Sequence, residues 1–232
     1  MDHDEVEKWL LDAKKTTQTV LNLANDWWPI TSGDEQARAS AWALAFFLTA
    51  ANARCSAPTL IAACSASEAS KPHNSKVLKA LWTKPGREHQ EEQVLVDFSV
   101  HNWDASNPIQ MTGESEANAS QRTDDQLSPN SYGWDFYKLL LVPSASRLFF
   151  ARVGGDGGVS AGERCKLLAK TLIELVDWYA PALLRPHDEV GVVIVPSAKN
   201  SLEDGFVLTL ERGRLRPSAL SEQTRRSLVG QS

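Results

Sequence analysis

The chain has 232 residues, 42% of them hydrophobic and 23% charged, enough for one large domain or for a helical region joined to an α/β core. A formal net charge of −5 excludes a general nucleic-acid-coating protein, but not an enzyme that grips nucleic acid through a local basic patch. Three cysteines (Cys55, Cys64 and Cys165) have neither paired nor zinc-knuckle spacing, which excludes a disulfide framework and fits the reducing cytoplasm.

In chain order, Val6, Trp9, Leu10, Ala13, Thr17, Val20, Leu21 and Ala24 recur at helical spacing, predicting a helix from Asp4 to about Asp26. Trp28 precedes Pro29 and must avoid the α region, which sets a boundary there. A second helix is expected from Asp34 to Ala53 and a third near Pro58 to Ala66. The apolar window through this region is broken by Asn52, Arg54 and Pro58, and the acidic start MDHDEVEKW has no secretory-signal pattern. No membrane association is therefore expected. The polar SEASKPHNS predicts a loop and SKVLKALW a short helix.

From Gln93 the period changes. QVLVDFSV, PIQMTGESE and SRLFFARV read as strands, with a helix, YGWDFYKLLLV, before the third and a polar loop over 117–131. Ser160-Ala-Gly-Glu163 matches a capping box, opening a helix with Leu168, Leu172, Leu175 and Tyr179 inward and an end near Leu184. VGVVIVPS and GFVLTLERGRL follow as two strands of a hairpin, and SEQTRRSLVGQS reads as a frayed tail.

The acids in this strand region carry the chemistry. Asp97 lies in the first apolar run, and Glu114 and Glu116 close the second, one residue apart. Alternation along a strand sends Glu114 and Glu116 to one face, where an acid on the adjacent strand can converge with them on a hard divalent cation.

The order of helix, strand with Asp, strand ending in Glu-x-Glu, helix and strand resembles the PD-(D/E)xK superfamily, the restriction-endonuclease-like nucleases. The resemblance covers roughly residues 75 to 153. It implies a mixed central sheet flanked by helices, an α/β (α+β) core over 73–220, with a helical region over 1–72 before it and a flexible tail over 221–232. It implies that Asp97 and Glu114 bind Mg²⁺ or Mn²⁺, with the Ser115 carbonyl as a further ligand. Glu116 stands where the family usually has lysine, as in some type II restriction enzymes, and would accept or orient the attacking water's proton. Lys138, on the following helix, would replace the missing cation and stabilise charge developing on the phosphate. The implied activity is metal-dependent hydrolysis of nucleic acid, DNA ahead of RNA, in restriction, repair or anti-phage defence.

Three readings stand side by side. The first is that nuclease. The second is a non-catalytic interaction, regulatory or immunity protein on the same fold, favoured by the acidic net charge and the displaced lysine, with a protein partner or a homodimer. The third is a small-molecule-binding α+β domain with coincidental acids; Asp97 and Glu114 on non-adjacent strands would end the nuclease case.

Other motifs point elsewhere than chemistry. GGDGG lacks the Gly-Lys-Ser/Thr ending of a phosphate loop and reads as a connection. His73, His89 and His101 read as loop residues, with His89 and His101 able to approach a phosphate. Glu68 or Glu88 offer a further ligand, and Asp135 reads as a first-turn acid favoured by the helix dipole. Trp9, Trp42 and Trp178 read as core, and Trp27, Trp28 and Trp103 as contact or base-stacking residues. The arginines at 212, 214, 216, 225 and 226 read as a solvated end.

Overall fold

The computed structural model describes residues 1–25, 35–55, 60–63, 77, 80–81, 83, 96–102, 108–116, 131–155, 158–197 and 204–229. Trp27, Trp28, Trp103, Glu68, Glu88, His73 and His89 lie outside the described residues, as does most of the expected polar loop over 117–131.

Seven strands form one mixed sheet in sequence order: β1 (Leu60–Ala63), β2 (Phe98–His101), β3 (Ile109–Glu116), β4 (Ser146–Val153), β5 (Glu189–Pro196), β6 (Phe206–Glu211) and β7 (Arg214–Ala219). β1, β2 and β3 pair antiparallel in turn, β3, β4 and β5 are mutually parallel, and β6 and β7 return antiparallel. Parallel neighbours need a crossover, and two helices provide it: α3 (Tyr132–Leu141) between β3 and β4, and α4 (Ala161–Leu183) between β4 and β5.

The alternation of side chains sorts the core into two layers. Phe98, Val100, Met111, Leu148, Phe150, Val193 and Val195 face α1 (His3–Asn25) and α2 (Glu35–Arg54). Phe149, Ala151, Val153, Val190, Val192, Ile194 and Leu208 face α3 and α4. Strands β4 and β5 are apolar on consecutive positions because both of their faces are covered. Gly113 in β3 is what lets α2 approach: a Cβ there would lie 2.9 Å from ring carbons of Phe47, whose ring stacks on Phe98 at 5.5 Å.

Helix α1 buries the expected face from Val6 to Leu21, and α4 opens with the expected capping box: Ser160 Oγ accepts from the Glu163 N–H and Glu163 Oε2 from the Ser160 N–H. Four expectations are corrected. The third helix, near Pro58 to Ala66, is replaced where described by β1, because a four-residue apolar run is too short to bury a helical face but long enough to pair with β2. GFVLTLERGRL is two strands, broken at Arg212 and Gly213, whose φ values of 52° and 80° reverse the chain. The tail is helical over α5 (Glu222–Val229): Ser221 caps it, and Glu7 of α1 accepts from the Ser221 N–H, the Ser221 hydroxyl and the Thr224 hydroxyl. Trp178 is 59% exposed instead of core, whereas Trp9 and Trp42 are buried as expected.

Candidate functional site

The register of β2 against β3 builds the site. Phe98 pairs with Gly113 and Ser99 with Thr112, so the next step places Asp97 opposite Glu114. Opposed residues of an antiparallel pair share a face, here the one covered by α3. Asp97 precedes β2 instead of lying within it, so it is outside the ladder that the sequence pattern suggested. Side chains continue the pairing there. The Asp97 N–H donates to Glu114 Oε2 at 2.8 Å, while Asp97 Oδ2 accepts from the Ser115 N–H and the Ser115 hydroxyl, each at 2.9 Å. Each acid thus binds the other's strand, and the two carboxylates are fixed side by side.

Helix α3 supplies the cation. Ser131 Oγ accepts from the Trp134 N–H at 3.1 Å and sets where the helix begins. The first turn then carries Asp135 and the second Lys138, on the side facing β3. Lys138 Nζ donates to Glu114 Oε1 and pairs with Asp135 Oδ1 at 2.9 Å. Glu114 is 3% exposed, a buried acid beside an apolar core.

Burial raises the carboxyl of Asp97, outweighing the Ser115 donors. Burial, and then the charge on Asp97, push Glu114 up to about 8 despite Lys138. Burial works against the Lys138 ammonium, but Glu114 and Asp135 outweigh it and raise its pKa. Two carboxyls, Glu114 and Asp135, thus bond one ammonium whose charge also reaches Asp97: Lys138 stays charged, and the Asp97–Glu114 pair retains a proton at a pH where an isolated acid would have lost it.

Glu116 follows Glu114 by two residues and shares its face by alternation. Its charge is felt at Tyr132, where it adds to burial in raising the phenol; the Tyr132 hydroxyl donates to the Arg152 carbonyl at 2.7 Å. Ser115 enters the site through its N–H and hydroxyl, which hold Asp97. His101, expected in a loop, ends β2, buried, with Nε2 2.8 Å from Ser99 Oγ. Thr112 and Ser144 pair through their hydroxyls at 2.8 Å, so the polar row beside Glu114 continues along β2 and β3. The sequence reading missed Asp135 as a partner of Lys138, although the i,i+3 spacing was its signal.

Among the described residues, no three His, Cys, Asp or Glu side chains stand close enough to hold a metal ion. Asp97 and Glu114 offer two hard oxygen donors, adjacent and short of positive charge. That fits Mg²⁺, which takes one or two carboxylates and completes its shell with water or phosphate. The two acids lie on neighbouring segments at the β2–β3 pair, the arrangement without which the nuclease reading would end. No helix among the described residues is long and apolar enough to cross a membrane. No family model, curated protein or solved structure matches the chain.

Proposed function

We propose that the chain is a divalent-metal-dependent nuclease of restriction-endonuclease-like type, acting on DNA ahead of RNA. One observation carries this reading: Asp97 and Glu114 are hydrogen-bonded across β2 and β3, and Lys138 reaches Glu114 from the helix that follows. The order β2, β3 ending in Glu-x-Glu, α3 and β4 supports it, because strand, strand, helix and strand is the order that carries the resemblance.

In this reading Asp97 and Glu114 hold Mg²⁺ or Mn²⁺, and the cation supplies Lewis acidity and a water of lowered pKa. Ser115 locks the Asp97 carboxylate in place with two donors. Lys138 donates to a non-bridging phosphate oxygen as negative charge develops on it. Glu116, at the half-buried end of β3, takes the proton of the attacking water. A cytoplasmic setting belongs to this reading, in keeping with three cysteines that lack paired spacing.

A second reading, a non-catalytic interaction protein, draws on the ammonium that already sits on Glu114. Incubation of supercoiled plasmid, single-stranded DNA and RNA with Mg²⁺, Mn²⁺ or EDTA separates the two. The nuclease reading expects metal-dependent cleavage that falls at least about a hundredfold in both Asp97→Ala and Glu114→Ala. Cleavage that survives both substitutions removes these residues from the chemistry, and a folded protein that cleaves nothing favours the second reading.

A further inference from the structure

Glu114 has two oxygens, and both are engaged. Oε2 accepts from the Asp97 N–H, a bond that also fixes the end of β2, and Oε1 accepts from Lys138. A cation bridging Asp97 and Glu114 must use a Glu114 oxygen. Taking Oε2 breaks the strand junction, whereas taking Oε1 displaces only a side chain. An ammonium and a divalent cation cannot both sit at bonding distance on that oxygen, since their charges repel across a buried site. Lys138 has somewhere to go. Asp135 lies one turn back on the same helix, 2.9 Å from Nζ, and the lysine side chain is partly exposed, so it can swing without moving α3.

We propose that Lys138 is the resident counter-ion of the carboxylate pair, and that a divalent cation arriving at Asp97 and Glu114 releases it from Glu114 while Asp135, which it already contacts, retains it. Asp135 is then a positioning residue: it keeps the released ammonium beside the cation, facing the phosphate. Lys138 offsets the mutual repulsion of the two carboxylates, and serves the substrate once a cation takes its place. The inference rests on the carboxylate pair being the cation site of the nuclease reading, but not on cleavage.

The test is Mn²⁺ affinity of the full chain, measured by electron paramagnetic resonance and calorimetry without substrate. Lys138→Met removes the competitor and tightens Mn²⁺ binding about fivefold or more. Asp135→Asn leaves the ammonium on Glu114 and weakens binding by a similar factor. In the Lys138→Met background the same Asp135 change has little effect, because Asp135 acts through Lys138. Lys138→Gln replaces Lys138→Met should that variant fail to fold.

Equal effects of Asp135→Asn in both backgrounds, or weaker binding in both Lys138 variants, overturn the exchange. So does an absence of Mn²⁺ binding at millimolar concentration in every folded variant. The predicted binding pattern without any cleavage upholds the exchange and removes the nuclease reading instead.

Discussion

Two buried glutamates in this molecule behave in opposite ways. Glu7, at the junction of α1 and α5, accepts from one N–H and two hydroxyls, and these donors outweigh burial and hold its carboxyl below the ordinary range. Glu114, at the β2–β3 corner, faces the Asp97 carboxylate and is pushed up to about 8. Both are almost entirely shielded from water, at 7% and 3% exposure, and burial raises both carboxyls, so the direction of its effect does not separate them. The neighbours do. Donors aimed at Glu7 join two helices and leave its charge satisfied. At Glu114 a second acid has been placed where a stable fold has no use for one, and the site stays short of positive charge.

The contrast can be broken experimentally. The largest effect is expected from Glu114→Gln. A carboxyl whose pKa is raised on folding costs stability as the pH climbs from its ordinary value of 4.5 to about 8. Gln removes that cost, so the variant is more stable than wild type by about 2–3 kcal/mol at pH 8 and nearly equal to it at pH 4.5. Urea melts across this range measure it, and parallel curves for the two proteins would mean that Glu114 carries no burden.

Glu7→Gln goes the other way. Its depressed pKa contributes stability above pH 4.5 that disappears as the pH falls through the folded value. The substitution costs about 1–2 kcal/mol at pH 7 and little in acid, since hydrogen bonds to a charged acceptor are lost only where the charge exists. Amide exchange over 222–229 reports it; unchanged protection of α5 would show that Glu7 does not hold that helix. The smallest effect sharpens the comparison. Asp97→Asn removes the like charge, and the Glu114 carboxyl, followed by carbon-13 resonance, should titrate about one unit lower. An unmoved titration would leave burial as the whole cause.

Much of this corner was legible before the structure. Strict alternation in PIQMTGESE and the apolar SRLFFARV locate β3 and β4 within a residue, and the Ser160–Glu163 spacing locates the start of α4. These signals are local, set by neighbours along the chain. What was hidden depends on distant partners. Four apolar residues, Leu60–Ala63, read equally as helix or strand until β2 is known to lie beside them. The polar stretch after Ser221 looks unstructured because the acid that holds it is Glu7, 214 positions away. Trp178 has apolar neighbours in sequence, but it stands with Asp177 on the exposed side of α4, while Leu175, Val176 and Ala180 take the buried side.

The hinge between chemistry and architecture falls at one peptide. The first main-chain pair of β2 joins Phe98 to Gly113, and Asp97 lies one residue outside it, tied to β3 through side chains. A lineage that lost Asp97 would keep every rung of the sheet and both apolar layers. On the nuclease reading, selection could therefore retire the reaction while inheriting the scaffold, and descendants of this chain would remain recognisable by shape long after they had stopped sharing a trade.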